Sequence, residues 1–356
     1  MPKKIVFCAD GTWNHPNDPV KVEDSDTNVY KLCKCLSYTA TQFTAYDPGV
    51  GTGGNLLQHL TGGAFGDGLL QKIKDGYTAI AHVYEQDDSI YIFGFSRGAY
   101  TARSLAGMIA ICGLPTKGFD QNLVDTAFQA YRARDGAQRQ SLLKSLANYD
   151  LYDAKITCLG VWDTVGALGI PVDPLGLDNV KYGFLDTSLH PDVRNAFHAV
   201  SIDERRAEFP PTLWTGPFAQ GQRVEQVWFA GVHCDVGGGY AETGLSDITL
   251  GWMLTNALSC EKPALELVDS LASSYLDIEA KHALDTIHES WNVIWGFPRS
   301  RAVPQNATLS NSVAIRVVHD GNYRPQNLQL AGNAPASNYA TQPVIAAPAL
   351  AVAAGQ

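Results

Sequence analysis

The 356-residue sequence has few charged residues, 17% in all, and no excess of basic ones. With 26 Lys and Arg against 36 Asp and Glu, the net charge is −10 at neutral pH. No basic cluster is available to neutralise phosphates, so nucleic acid is excluded as the expected partner. The charge also disfavours a purely electrostatic attachment to anionic membranes, whereas peripheral contact with neutral lipid stays open.

Long apolar runs are also missing. No run reaches the roughly 18 residues of a membrane-spanning helix, and the apolar run near the amino terminus is too short for a signal peptide. The seven cysteines are an odd number without an export signal, which favours free buried thiols over a disulfide framework. We therefore expect a cytoplasmic protein, or one that is exported without a cleaved signal.

The sequence does contain an alternation of apolar runs and amphipathic stretches. Six short runs predict strands buried on both faces: Lys4–Ala9, Gln42–Tyr46, Ser89–Phe93, Lys155–Val161, Ala196–Ser201 and Val224–Phe229. Helical patterns lie between them: Asp67–Gln86, Ala99–Ile111, Leu123–Asn148 and Ser246–Ser259. This order predicts an open, doubly wound α/β sheet that is mostly parallel, with helices on both faces and chemistry at the carboxyl ends of the strands.

The remaining stretches predict the domain organisation. Residues 241–300 look largely helical and are expected to cap the site. The glycine-rich stretch Gly49–Gly68 is either a lid or a compact loop packed by its leucines. From residue 327 the chain is rich in Ala and Pro and lacks periodicity. We therefore predict a catalytic domain over residues 1–326 and a loosely ordered tail over 327–356.

The most informative motif is Gly94-Phe-Ser-Arg-Gly98, which joins a predicted strand directly to a predicted helix. In that context G-x-S-x-G forms a nucleophile elbow, a tight turn that presents a serine hydroxyl. The flanking glycines are needed because a side chain there would collide with the neighbouring strand or helix. The motif predicts Ser96 as a catalytic nucleophile.

An activated serine needs a base and an orienting acid. His233 follows the last predicted strand, where the base belongs when the order is serine, acid, histidine, whereas His198 lies inside a strand and is expected to be packed. For the acid, strand position slightly favours Asp203. That residue sits in Asp-Glu-Arg-Arg, where a surface salt bridge is a simpler explanation. Asp163, alone in an apolar turn, is therefore preferred, and Asp203 stays the alternative acid.

The tetrahedral oxyanion requires two backbone donors. The amide after the nucleophile, that of Arg97, is the expected first donor. Gly11 and Thr12, in the loop after the first predicted strand, are placed to supply the second. This chemistry needs no metal and no other cofactor.

Six blocks in order resemble the uncharacterised α/β-hydrolase family known as DUF2235, over roughly residues 3–325. They are Val6–Asn14, Tyr46–Thr52, Gly94–Arg103, Gly160–Gly166, Val200–Arg206 and Trp228–Tyr240. That family includes the catalytic domain of type VI secretion phospholipase effectors. The resemblance implies an α/β-hydrolase fold with Ser96 as nucleophile, Asp163 as acid and His233 as base. It also implies a phospholipid substrate and a secretion or immunity partner, for which the residues themselves give no signal.

We therefore expect a serine esterase or lipase acting on an ester or lipid, with phospholipid as the leading substrate. Two alternatives stay open. One is a binding or interaction module on a hydrolase fold, which would not need the elbow. The other is acyl transfer to an alcohol, which uses the same residues.

Overall fold

The computed structural model describes residues 2–11, 26–49, 64–165 and 189–345, with the backbone alone for 64–67. Its strands are β1 (Lys4–Ala9), β2 (Gln42–Asp47), β3 (Ser89–Phe95), β4 (Leu114–Pro115), β5 (Leu151–Tyr152), β6 (Ile156–Trp162), β7 (Val193–Ser201), β8 (Arg223–Phe229), β9 (Thr308–Ser310), β10 (Leu330–Ala331), β11 (Ala334–Pro335) and β12 (Ala340–Gln342). Eight of them form one sheet in the order β2-β1-β3-β6-β7-β8-β9-β12, with every neighbouring pair parallel. Two short antiparallel pairs, β4–β5 and β10–β11, lie outside it.

Helices connect the strands and cover both faces of the sheet. They are α1 (Asn28–Cys35), α2 (Ala64–Val83), α3 (Arg97–Cys112), α4 (Gln121–Arg132), α5 (Gly136–Leu146), α6 (His233–Gly237), α7 (Gly244–Leu258), α8 (Asp269–Leu276) and α9 (Asn311–His319). Two 3-10 turns, Ala280–Leu284 and Val293–Trp295, follow α8. No helix in the described ranges is both long and apolar enough to cross a membrane.

The central strands are buried on both sides because successive side chains point to opposite faces. In β1, Ile5 and Phe7 pack into the core formed with α2 to α5, whereas Val6 and Cys8 pack into the core formed with α1 and α7. This is why the strand sequences are continuous apolar runs and do not alternate between apolar and polar residues.

The predicted α/β fold is confirmed, and all six predicted strands are present within three residues of their expected ends. The sequence reading missed β9 and β12, which extend the sheet at one edge. Strand β12 lies inside the predicted tail, and the hairpin β10–β11 precedes it. In the described part of that tail, up to residue 345, β12 therefore extends the sheet, while residues 346–356 lie outside the described residues.

The predicted helix Leu123–Asn148 is two helices, α4 and α5. The chain turns at Ala133 and restarts at Asp135, whose carboxylate accepts the Gln138 N–H at 2.7 Å as a helix cap. In residues 241–300, helix α7 packs on the sheet, α8 follows, and only the two 3-10 turns continue the helical structure toward residue 300. Most of Gly49–Gly68, the stretch interpreted as either a lid or a compact loop, lies outside the described residues.

The strand order reverses around β1, so that β2 lies on one side and β3 on the other. Such a switch point opens a crevice at the carboxyl ends of the strands, which is where ligands bind in open α/β sheets. Helix α3 starts at this crevice and approaches β1 very closely, because a Cβ on Gly98 would lie 2.2 Å from the Ala9 carbonyl oxygen.

We expect Gly98→Ala to destabilise the protein by about 1–3 kcal/mol, because the added methyl group meets backbone atoms that have no room to move. Gly136→Ala is the matched control, since nothing lies within 4 Å of its Cβ position and alanine favours the helix it starts. Urea denaturation of both variants measures the effect. Equal midpoints would contradict the close approach of α3 to β1.

Candidate active site

Ser96 links the end of β3 to the start of α3 in an uncommon backbone conformation, with φ 58° and ψ −122°. Non-glycine residues adopt positive φ rarely, and at a cost that surrounding structure must offset. Glycine is required on both sides: a Cβ on Gly94 would lie 2.4 Å from the Gly98 carbonyl oxygen, and Gly98 itself touches β1. The predicted elbow geometry is therefore present at Ser96.

The predicted serine, acid and histidine lie together where the chain leaves the carboxyl ends of β3, β6 and β8. His233 Nε2 lies 2.8 Å from Ser96 Oγ, and His233 Nδ1 lies 2.5 Å from Asp163 Oδ2. These are hydrogen-bond distances, so the three side chains form a continuous chain from hydroxyl to carboxylate. All three are buried.

Two aromatic rings hold the imidazole of His233. Phe95 lies against it with ring centroids 4.6 Å apart, and Phe209 meets it edge-on at 5.1 Å. Burial lowers the pKa of His233 below its ordinary value of 6.5, although the hydrogen bond to Asp163 opposes that shift. The imidazole is therefore neutral near neutral pH and has a lone pair to accept a proton.

Asp163 is fully buried and is held from several sides. Its Oδ1 accepts the Ser201 N–H at 2.9 Å, and both oxygens accept from the guanidinium of Arg301, at 2.6 and 2.9 Å. Burial by itself would raise the pKa of Asp163, but the charge of Arg301 and the hydrogen bond from His233 outweigh it. The pKa lies well below its usual range, and the carboxylate stays ionised.

The sequence reading missed Arg301, which lies 138 residues beyond Asp163 in an exposed-looking Pro-Arg-Ser-Arg stretch. Its guanidinium also donates to the Ser201 carbonyl oxygen at 3.0 Å and to the Phe209 carbonyl oxygen at 2.7 Å. No local pattern separates it from a surface arginine, because only the fold brings it to the carboxylate.

Glu204 is a second residue that the sequence reading missed. Its carboxylate accepts the backbone N–H of His233 at 3.2 Å and pairs with Arg206 at 2.8 Å, and Ser290 donates to it. Burial raises the pKa of Glu204, but Arg206 outweighs this and lowers it to about 2. The surface salt bridge expected for Asp203 is therefore wrong: in this stretch Glu204 makes the ion pair with Arg206, and its carboxylate is fully buried beneath the His233 backbone.

Asp203 and His198 have other surroundings. Asp203 Oδ2 accepts from Gly231 N–H at 2.7 Å and from the Tyr323 hydroxyl at 3.0 Å, and burial raises the pKa of Asp203 to about 6. It lines a cavity of about 400 Å³ whose walls do not include His233. His198 is fully buried, as expected, and accepts the Thr164 N–H; burial lowers its pKa to about 3.

The structure describes two of the three predicted oxyanion residues. Arg97 is the first residue of α3, directly after Ser96, and desolvation lowers the pKa of its guanidinium to about 9. The Gly11 N–H donates to Asp10 Oδ1 at 2.6 Å, and that carboxylate also accepts from Thr27 and Tyr46. Thr12 lies outside the described residues. In the described part of the chain, no group of three His, Cys, Asp or Glu side chains is placed to hold a metal ion.

Comparison with known proteins identified relatives that are mostly longer than this chain. The uncharacterised protein YEL023C of Saccharomyces cerevisiae is 32% identical in an alignment over 239 residues that covers 60% of this chain and 33% of that protein. An uncharacterised protein from Pseudomonas aeruginosa has a TM-score of 0.46 and 20% identity, covering 77% of this chain and 49% of that chain. The Tle1 effector, solved bound to the VgrG spike of the type VI secretion system, has a TM-score of 0.39 and 17% identity, covering 68% and 52%.

The chain thus spans between a third and about half of the length of these relatives. A family model aligns with residues 3–256, which run from β1 into α7 and include Ser96, Asp163 and His233. The protein belongs to the family described as the catalytic domain of Tle1-like phospholipase effectors of the type VI secretion system.

Proposed function

We propose that this protein is a serine hydrolase that cleaves carboxylic esters of lipids, with phospholipid as the leading substrate. The observation that carries the proposal is the chain of hydrogen bonds from Ser96 through His233 to Asp163, with the serine at a positive φ. Family membership supports the lipid ester as substrate class. A secretion partner follows from the family resemblance alone and stays a prediction.

In the proposed reaction, Ser96 Oγ attacks the ester carbonyl carbon while His233 Nε2 takes the hydroxyl proton. The imidazolium that forms is stabilised by the ionised Asp163 at 2.5 Å. His233 then returns the proton to the leaving alcohol, and an acyl-enzyme remains on Ser96. Water, deprotonated by His233, attacks this ester, and His233 returns that proton to the leaving Ser96 Oγ as the fatty acid is released. If an alcohol replaces water in this step, the same residues perform acyl transfer.

The oxyanion would form close to the first turn of α3, where backbone N–H groups and the helix dipole favour negative charge. The Arg97 N–H, next to the nucleophile, is the proposed first donor. Gly11 stays the predicted second donor. Its N–H donates to the Asp10 carboxylate in this structure, so for that role it would have to leave Asp10 and donate to the oxyanion instead.

Fluorophosphonate labelling tests the nucleophile. We expect a single adduct on Ser96, located by peptide mass spectrometry. The adduct should be lost in Ser96→Ala and in His233→Ala, because labelling requires the serine hydroxyl and the base that activates it. Ester turnover should fall by roughly 10⁴-fold or more in either variant.

Ser104→Ala is the matched control, since Ser104 is a buried serine on α3, the helix that follows Ser96, and its loss should leave labelling unchanged. Absence of an adduct and of turnover in folded protein would sink the hydrolase proposal and favour the binding-module alternative. Adding an alcohol acceptor separates hydrolysis from acyl transfer.

The pH dependence of kcat/KM tests the base. His233 must be neutral to accept a proton, and burial holds its pKa below 6.5. Activity should therefore rise with pH through a midpoint below 6.5 and then stay level through neutral pH, while Asp163 remains ionised throughout. A midpoint clearly above 6.5 on a soluble ester would contradict this environment of the imidazole.

Arg301→Gln tests the pairing of the acid. Loss of the guanidinium removes a positive charge next to Asp163, so the carboxylate stabilises the His233 imidazolium more strongly. The midpoint of the rise in kcat/KM with pH should therefore move to higher pH. We also expect kcat/KM to fall by at least about tenfold, because the carboxylate loses its fixed orientation. Arg301→Lys keeps the charge and should retain the lower midpoint. An unchanged midpoint in folded Arg301→Gln, checked by circular dichroism, would contradict the assignment.

A further inference from the structure

Three large apolar side chains project from the second 3-10 turn and the residues that follow it. Val293 is 83% exposed, Ile294 68% and Phe297 94%, and we call these three side chains the apolar tip. Among the large hydrophobic residues of the described chain, only Tyr38, at 73%, is comparably exposed. Scattered exposed apolar residues are ordinary on a soluble surface, but three within five positions form a patch.

The apolar tip has a fixed shape. The Asn292 side chain accepts the Ile294 N–H at 3.0 Å, and the Trp291 indole donates to the Gly296 carbonyl oxygen at 3.1 Å. Gly296 turns the chain with φ 70°, a conformation that suits glycine. The exposure of the tip is therefore built into the turn by local hydrogen bonds.

The turn is anchored beside the proposed catalytic histidine. Trp295, which lies between the exposed positions, is buried and meets Phe209 edge-on with ring centroids 5.7 Å apart. Phe209 in turn packs on His233, and the guanidinium of Arg206 lies 3.7 Å from the Phe209 ring centroid. The same short segment thus faces the base on its inner side and solvent on its outer side.

We propose that the apolar tip inserts into a zwitterionic phospholipid surface and sets the Ser96 site against the lipid it hydrolyses; this inference rests on the proposed function. The tip is apolar and its three side chains stand largely free in solvent, which suits insertion between lipid chains better than it suits binding a peptide in a groove. Trp291 and Arg205, whose guanidinium lies 6.0 Å from the Trp291 ring, flank it with the residue types that favour the interface.

The charge of the chain selects the lipid class. A net charge of −10 opposes attraction to anionic headgroups, so apolar insertion has to supply the affinity. Arg205 pairs with Glu289, and that partner offsets its charge at the interface. We therefore expect vesicles of phosphatidylcholine and phosphatidylethanolamine to bind the protein, with little dependence on salt.

The test is flotation with such vesicles, in the Ser96→Ala background so that no lipid is consumed. The tip variant Val293→Ser/Ile294→Ser/Phe297→Ser should bind at least about tenfold more weakly, because each apolar side chain buried in lipid is worth roughly a factor of ten in partitioning. Its urea midpoint should stay unchanged, since the three side chains are exposed in the folded protein.

The control is Tyr38→Ser/Leu271→Ser/Val318→Ser, which removes three other exposed apolar side chains, 73%, 44% and 53% exposed. Tyr38 precedes β2 and so lies near the amino edge of the sheet, opposite the serine. This variant should bind vesicles as the parent does. Equal weakening in both variants would overturn the assignment of the apolar tip.

Turnover separates failure of this inference from failure of the proposed function. With Ser96 intact, the tip variant should keep its rate on a short soluble ester while losing at least about tenfold on vesicle phospholipid. Vesicle binding unchanged in the tip variant overturns the inference, as does salt-sensitive binding confined to phosphatidylglycerol vesicles. A tip variant that changes the oligomeric state instead indicates a protein contact and also overturns it. If no ester is hydrolysed by the parent, the proposed function fails, and flotation still decides the role of the tip.

Discussion

A carboxylate as deeply buried as Asp163 is tolerated only when it is paired and hydrogen-bonded. Its partners come from three separate parts of the chain: the end of β7 supplies the Ser201 N–H, the turn after β8 supplies His233, and the stretch after the second 3-10 turn supplies Arg301. All three must arrive together for the charge to be satisfied. The burial of one carboxylate therefore ties the sheet to the loops that cover its carboxyl edge, and it fixes the orientation of the imidazole at the same time.

The serine imposes the second constraint, because its backbone is held at positive φ at a cost of order 1–3 kcal/mol. That conformation persists because α3 packs against β1 and β3 without room to relax, which the absence of a Cβ at Gly94 and Gly98 allows. The same close approach aims the first turn of α3 at the crevice where the strand order reverses. The position of the Ser96 hydroxyl and the direction of the α3 helix dipole thus follow from the same packing contact.

These two constraints explain how far the sequence could be read. The central strands are buried on both faces and appear as apolar runs, and the glycines of G-x-S-x-G are explained by the tight turn around the serine. The fold and the grouping of Ser96 with Asp163 and His233 were therefore predictable from the sequence. Strand β12 was not, because three residues, two of them exposed, give no hydrophobic pattern. Arg301 and Glu204 were not either, since each looks like a surface charge until the fold brings its partner to it.

The stretch from Ser290 to Arg301 combines these features in twelve residues. Ser290 donates to Glu204, Trp295 packs on Phe209, and Arg301 pairs with Asp163. These three inward contacts fix the segment. The apolar tip between them points outward, so its side chains stay exposed to water in the folded protein, which is unfavourable for apolar surface. Phe209, on which Trp295 packs, in turn packs on His233. Because the apolar tip lies on the same short segment as Arg301, its position is fixed by the contacts that also bury the Asp163 carboxylate.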